Sequence, residues 1–190
     1  MSRRHLTEQR ELRREEPKLN NRELARREEA LGYIIKFGDP VLKSCATQVR
    51  LFDDNLFSNA QRMEAIMKDA TGVGLAANQI GLLIRLLVFR SSEGAASETL
   101  INPIIKWSSD ETTTLEEGCL SLPRVIVPVN RPEKILVDAQ NCSGEKLEIE
   151  ASGFRARVIQ HEIDHLNGTL IIDRTTSNQR KEAMKLLRGL

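Results

Sequence analysis

Two imidazoles four residues apart with a glutamate between them, in the run Gln160-His161-Glu162-Ile163-Asp164-His165-Leu166-Asn167-Gly168, constrain this chain more than any other feature. On an α-helix, residues i and i+4 stack on one face, so His161 and His165 can grip one metal ion while Glu162 sits beside the open coordination position. The third of the three histidines, His5, stands in a charged N-terminal stretch that reads as solvated. By itself the spacing also fits an amphipathic helix with two imidazoles at the core edge. A further ligand separates the two readings, because a catalytic tetrahedral site usually takes three protein ligands and keeps the fourth position for water.

Peptidases of the zincin type commonly find that ligand downstream, as a glutamate or histidine. Here no histidine follows His165, and Asp173 is the only acid close behind it. Upstream lies Leu115-Glu116-Glu117-Gly118-Cys119-Leu120-Ser121-Leu122-Pro123, where turn and strand residues follow Cys119 and Gly118 lets the backbone approach another element. A thiolate there would complete a Cys-His-His set, although Cys119 alone reads as a small buried hydrophobe. The three cysteines, Cys45, Cys119 and Cys142, are odd in number and irregularly placed. That argues against a disulfide framework, suits a reducing compartment and leaves at least one thiol with a chemical task.

A third segment, Gly72-Val73-Gly74-Leu75-Ala76-Ala77-Asn78-Gln79-Ile80-Gly81, is too rich in small residues for a well-packed central strand. As an extended edge it can pair main chain to main chain with a peptide, and Gln79 offers an amide donor toward a developing oxyanion. A phosphate-binding loop would want Lys-Ser/Thr after the glycines, and none is present.

The remaining organisation is modest. With 190 residues, 40% of them hydrophobic, the chain fits one globular domain plus an appendage, and its net charge of +1 gives no reason to expect broad attachment to nucleic acid or membrane. No run approaches the roughly 18 apolar residues of a membrane span, and the N-terminus lacks the apolar core of a secretory signal. A soluble protein is expected. Residues 1–30 mix arginines (Arg3, Arg4, Arg10, Arg13, Arg14, Arg22, Arg26, Arg27) with glutamates (Glu8, Glu11, Glu15, Glu16, Glu23, Glu28, Glu29) and few apolar side chains. This segment reads as a disordered or loosely helical extension, with an intermolecular helix or a ribosome-contacting arm as the sharper alternative. It is too acidic for an organelle transit peptide.

Residues 31–190 read as the catalytic domain. Asp53 and Asp54 can cap a helix with apolar positions Leu56, Ala60, Met63, Met67 and Ala70, broken at Thr71-Gly72. Strand-like runs follow at 82–89, 100–105, 125–129, 135–140 and 147–151; then come the histidine helix and a basic helix over 177–188. Helix, many strands, helix, helix is an α+β order. The expected fold has short antiparallel or mixed sheets packed around a central helix that carries the histidines, with an N-terminal and a C-terminal helix.

The segments Gly72–Gln79, Glu117–Ser121 and His161–His165 resemble, in order, spacing and residue type, the three motifs of the peptide deformylases. The resemblance runs from about Tyr33 to the C-terminus. It implies that Cys119, His161 and His165 bind the metal, that Glu162 is the general acid/base, and that Gln79 and the Leu120 backbone N–H stabilise the oxyanion. It also implies removal of formyl from the N-formylmethionine of nascent chains, with Fe(II) as the usual ion and Zn(II), Ni(II) or Co(II) accepted.

Substrate contacts are expected from Val73, Gly74 and Leu75 on the glycine-rich edge. Phe154 and Val158 share a helix face with His161 and His165, and with Val73 and Leu115 could wall a methionine pocket. Arg157 falls on this side, where many deformylases carry an apolar residue; a snorkelling surface arginine is the expectation. Glu117 and Arg131 are expected to pair behind the Cys119 loop. The expected partners are nascent formyl-Met polypeptides and, transiently, the ribosome. The expected enzyme is a monomer of the cytoplasm, or of an organelle lumen in a eukaryote. A metallopeptidase cutting internal bonds and a non-catalytic metal-stapled module are the competing readings; the absence of a downstream ligand opposes the first and the retained Glu162 the second.

Overall fold

The computed structural model describes residues 19–92 and 94–188. The elements run α1 (Asn21–Tyr33), α2 (Asp54–Asp69), β1 (Gly74–Ala76), β2 (Leu86–Arg90), β3 (Ser97–Ser108), β4 (Thr112–Cys119), β5 (Leu122–Pro132), β6 (Lys134–Gln140), β7 (Lys146–Ser152), α3 (Gly153–Leu166) and α4 (Ser177–Arg188). Short 3-10 turns occupy Pro40–Lys43, Ala77–Ile80 and Ile171–Asp173. The fold is α+β with antiparallel ladders: five strands in the order β1-β2-β3-β6-β7, and a separate β4-β5 hairpin.

Strand alternation builds two layers on the larger sheet. Leu86 and Val88 of β2 pack with Met63, Met67 and the rest of the α2 face, whereas Leu87 and Phe89 pack with Val158, Ile159 and Ile163 of α3. Asp53 caps α2 by accepting the Leu56 N–H at 2.9 Å, and the expected apolar positions of that helix are all buried. A third cluster joins Val125, Val127 and Val129 of β5 to Leu170–Ile172 and Ala183 of α4. Helix α3 thus lies against the sheet while also touching β5.

The extended edge expected within Gly72–Gly81 is β1, three residues at the margin of the sheet paired with β2, whereas β4 (Thr-Thr-Thr-Leu-Glu-Glu-Gly-Cys) lacks apolar alternation and exists through its pairing with β5. Helical structure is present before residue 31. Asn20 and Glu23 form a reciprocal cap on α1, and Ala30 and Ile34 pack among the α2 residues. The narrow apolar edge of this helix is what a composition argument overlooks. The expectation of disorder falls mostly on residues 1–18, outside the described residues.

Asp173 closes the segment behind α3. Its carboxylate accepts the Leu170 N–H at 2.8 Å and binds Arg180 and Lys43. Burial pushes its carboxyl upward, but these three donors outweigh burial and hold it below the usual range. A depressed folded value means that this stabilisation is fully present above the unfolded pKa of about 3.9 and is lost as pH falls through the folded value. Asp173→Asn should therefore lower the melting temperature at neutral pH, with the gap to the parent protein shrinking as the pH falls below about 4.

Candidate active site

Helix α3 places His161 and His165 on one face with ring centroids 5.1 Å apart. The end of β4 brings Cys119 to the same point, at the hairpin turn where Cys119 pairs with Leu122. Ligand atoms from Cys119, His161 and His165 all lie within 4.8 Å of one another, and Cys119 Sγ is 3.2 Å from His165 Nε2. Metal bonds of about 2.3 Å to sulfur and about 2.0 Å to nitrogen put tetrahedral ligands roughly 3.5 Å apart, so this cluster suits one divalent ion. Glu117 Oε2 lies 3.0 Å from His161 Nδ1, which leaves Nε2 as the ligand atom of that ring.

The electrostatics are those of a thiolate between two rings. Burial raises the Cys119 thiol, but His165 and His161 outweigh it and hold the thiol well below its ordinary value. Burial lowers His161, yet its bonds to Cys119 and Glu117 and the charge of Glu162 leave it well above the ordinary imidazole value. Glu162 is raised chiefly by burial, with both histidines pulling the other way. Its Oε2 is buried and has no hydrogen-bond partner among the described residues, so it is available to a water or substrate group.

The glycine-rich segment runs past this cluster. A Cβ on Gly74 would overlap Glu162 Oε1, so only glycine lets β1 lie against that carboxylate. Gln79 is buried; its Oε1 accepts the Ala76 N–H at 2.9 Å, which turns Nε2 toward Ser121 Oγ at 3.1 Å and Cys119 Sγ at 3.7 Å. Leu120 follows Cys119, its side chain 3.0 Å from the position a Cβ of Gly72 would take. The structure thus brings together Gly74, Gln79, Cys119, Leu120, His161, Glu162 and His165.

The expected pocket residues divide. Val158 is buried, and Val73 packs against the same cluster, while Phe154 and Leu115 are each 50% exposed. Leu75 is fully buried among the α2 residues, on the opposite side of β1 from Glu162; its side chain belongs to the core. Arg157 is neither at a pocket mouth nor at the surface. It is 7% exposed, and its guanidinium donates to Glu117 Oε1 at 2.6 Å, Thr113 O at 2.6 Å and Val129 O at 3.0 Å. The acceptors lie on the hairpin, and helical spacing carries no information about them.

Glu117 and Arg131 do pair, through both carboxylate oxygens at 2.7 and 2.9 Å. Burial raises the Glu117 carboxyl, but His161 and Arg131 outweigh it and leave it at about 2. Arg131 also reaches Asp164 at 2.8 Å, and Arg174 grips the other side of Asp164. Sequence reasoning left Asp164 and Asn78 without roles. Asn78, fully buried, donates to the His165 carbonyl at 2.5 Å; its position between Ala77 and Gln79 was the available signal.

An α+β domain that converges a thiolate, two imidazoles and a buried glutamate on one point defines a metal-dependent hydrolase. A family model described as polypeptide deformylase matches residues 32–181, and the chain belongs to that family, whose members remove the N-formyl group from newly synthesised polypeptides. A peptide deformylase of Thermotoga sp. (strain RQ2) is 47% identical over 144 residues, covering 76% of this chain and 87% of that protein. Peptide deformylase 1B, chloroplastic, of Oryza sativa subsp. japonica is 40% identical over 74% of this chain and 54% of its own length. Among solved structures, peptide deformylase from Thermotoga maritima superposes with a TM-score of 0.73 at 47% identity over 75% of this chain and 96% of its own. The Synechococcus elongatus enzyme in complex with actinonin gives 0.77 at 37% identity over 83% and 87%. Among the described residues no helix is long and apolar enough to cross a membrane.

Gly74→Ala tests the close approach directly. The added methyl must displace the Glu162 carboxylate, and a shift of about 1 Å near reacting atoms costs on the order of a hundredfold in rate. Turnover should fall on that scale while metal content, measured on the same sample, stays near that of the parent protein.

Proposed function

We propose that Cys119, His161 and His165 hold one divalent metal and that Glu162 is the acid/base of formyl hydrolysis. Held there, such an ion would supply Lewis acidity toward the formyl carbonyl and a water activated near neutral pH. Glu162 orients that water, takes its proton on a carboxylate oxygen and delivers it to the departing amine, so that formate and a free α-amine leave. Gln79 Nε2 and the Leu120 N–H serve the developing oxyanion, and one such donor is worth about 3 kcal/mol. The observation that carries the reading is the convergence of the three ligand atoms beside the unpartnered Glu162 oxygen.

Around this chemistry α3 acts as the metal-binding helix about which sheet and hairpin are arranged. The free edge of β1, through Val73, Gly74 and the Leu75 backbone, pairs with the main chain of the substrate, and Phe154, Val158, Val73 and Leu115 face its methionine side chain. Fe(II) is the native ion on this reading, with Zn(II), Ni(II) and Co(II) accepted by the same donors. The substrate is the nascent formyl-Met polypeptide, met transiently at the ribosome by a monomer, in the cytoplasm or in an organelle lumen where formylmethionine starts synthesis.

The test is to measure formate, acetate and new internal termini in parallel on formyl-Met and acetyl-Met peptides with metal-replete enzyme. Formate should appear much faster than acetate, because the Gly72–Leu75 edge beside Leu120 leaves little room for an added methyl on the acyl carbon. Internal cleavage without formate would move the reading to a peptidase. Glu162→Ala should abolish turnover with metal near stoichiometric, whereas Cys119→Ala should lose the metal; the reverse pattern would exchange their roles.

A further inference from the structure

Arg157 has no task in the reading above, yet it is buried, more so than Cys119 or His161. It stands one helical turn before His161 on α3. Its guanidinium spans three acceptors on the hairpin: Glu117 Oε1 and the Thr113 carbonyl on β4, and the Val129 carbonyl on β5. The same hairpin ends in Cys119. We propose that Arg157 is a positioning residue for the metal ligands, locking Glu117 against His161 and fastening the ligand helix to the Cys119 hairpin, and that it thereby sets how firmly the ion is retained. This inference rests on the Cys119–His161–His165 reading.

The contacts of Glu117 supply the reason. Oε1 accepts from Arg131 Nε at 2.7 Å and Arg157 Nη1 at 2.6 Å; Oε2 accepts from Arg131 Nη2 at 2.9 Å and lies 3.0 Å from His161 Nδ1. Two contacts at each oxygen leave the carboxylate no freedom to pivot, and the His161 ring is oriented by it. Without Arg157, Oε1 keeps one partner, the guanidinium's link to the Thr113 and Val129 carbonyls is lost, and the carboxylate can turn about Arg131. Arg131 and Arg157 also balance the charges of Glu117 and Asp164 in a region where an unmatched ion is costly. A lysine would keep the charge but not the planar fork that reaches three acceptors together.

The experiment uses Co(II)-loaded protein, with release into excess EDTA followed by the visible absorption of the cobalt–thiolate centre. Parent, Arg157→Lys, Arg157→Leu, Glu117→Gln and the Glu117→Gln/Arg157→Leu double variant are compared. Arg157→Leu should shorten the release half-life by about 10- to 100-fold, the usual effect of removing a group that orients a ligand. Arg157→Lys should fall between it and the parent, and both should shift the cobalt bands. In the Glu117→Gln background the loss of Arg157 should matter less, since part of its action passes through that carboxylate. A lowered melting temperature with unchanged release and unchanged bands would overturn the inference and leave Arg157 merely structural. If Arg157→Leu does not fold, Arg157→Lys decides by the same comparison. A parent protein that fails to bind one Co(II) per chain, or a Cys119→Ala variant that binds it normally, would overturn the ligand assignment itself, and the inference with it.

Discussion

The buried ionic set in which Arg131 holds both Glu117 and Asp164 is the constraint on which the site depends, because it ties the β4-β5 hairpin to α3, two elements distant along the chain. Cys119 belongs to the hairpin and the two histidines to α3, and nothing in either element's own packing sets the distance between them. Arg131, from β5, grips Glu117 on β4 and Asp164 on α3 with one guanidinium. Such a buried ionic set is stable only when nearly every charge is matched and hydrogen-bonded. Here both oxygens of Glu117 and both of Asp164 have donors, so the arrangement has little freedom to relax into a neighbouring geometry.

The apolar layers do the complementary work. β2 divides its side chains between α2 and α3, and the exchange of one face for the other by a single-residue slip would bury none of them correctly. That register carries β1 along with it, since among the described residues β1 pairs with β2 alone. The closeness of Gly74 to Glu162 is thus set by hydrophobic alternation two strands deep, far from any polar chemistry.

Much of this was legible from local pattern. The histidine spacing, the periodic face of α2 and the span of α4 depend on neighbours within a few residues, and the structure reproduces them. The residues misread were those whose environment is made by distant chain. Arg157 sits at the expected helical position, but its acceptors are on strands 28 to 44 residues away. Leu75 was grouped with the glycine edge because it is adjacent in sequence, whereas strand alternation sends it to the opposite layer. β4 shows almost no strand signal because its partner supplies the reason for it to be extended.

The three-residue length of β1 has a consequence beyond the site. An open sheet edge is ordinarily a hazard, since its unpaired amides and carbonyls invite another chain to add on and continue the sheet. This edge is cut off by the 3-10 turn at Ala77–Ile80 on one side and by Thr71, in a left-handed conformation, shortly before the other end. Only a few backbone groups are therefore on offer. On the proposed function a loose peptide end satisfies them, whereas a long strand from a second folded molecule finds no continuous ladder along β1.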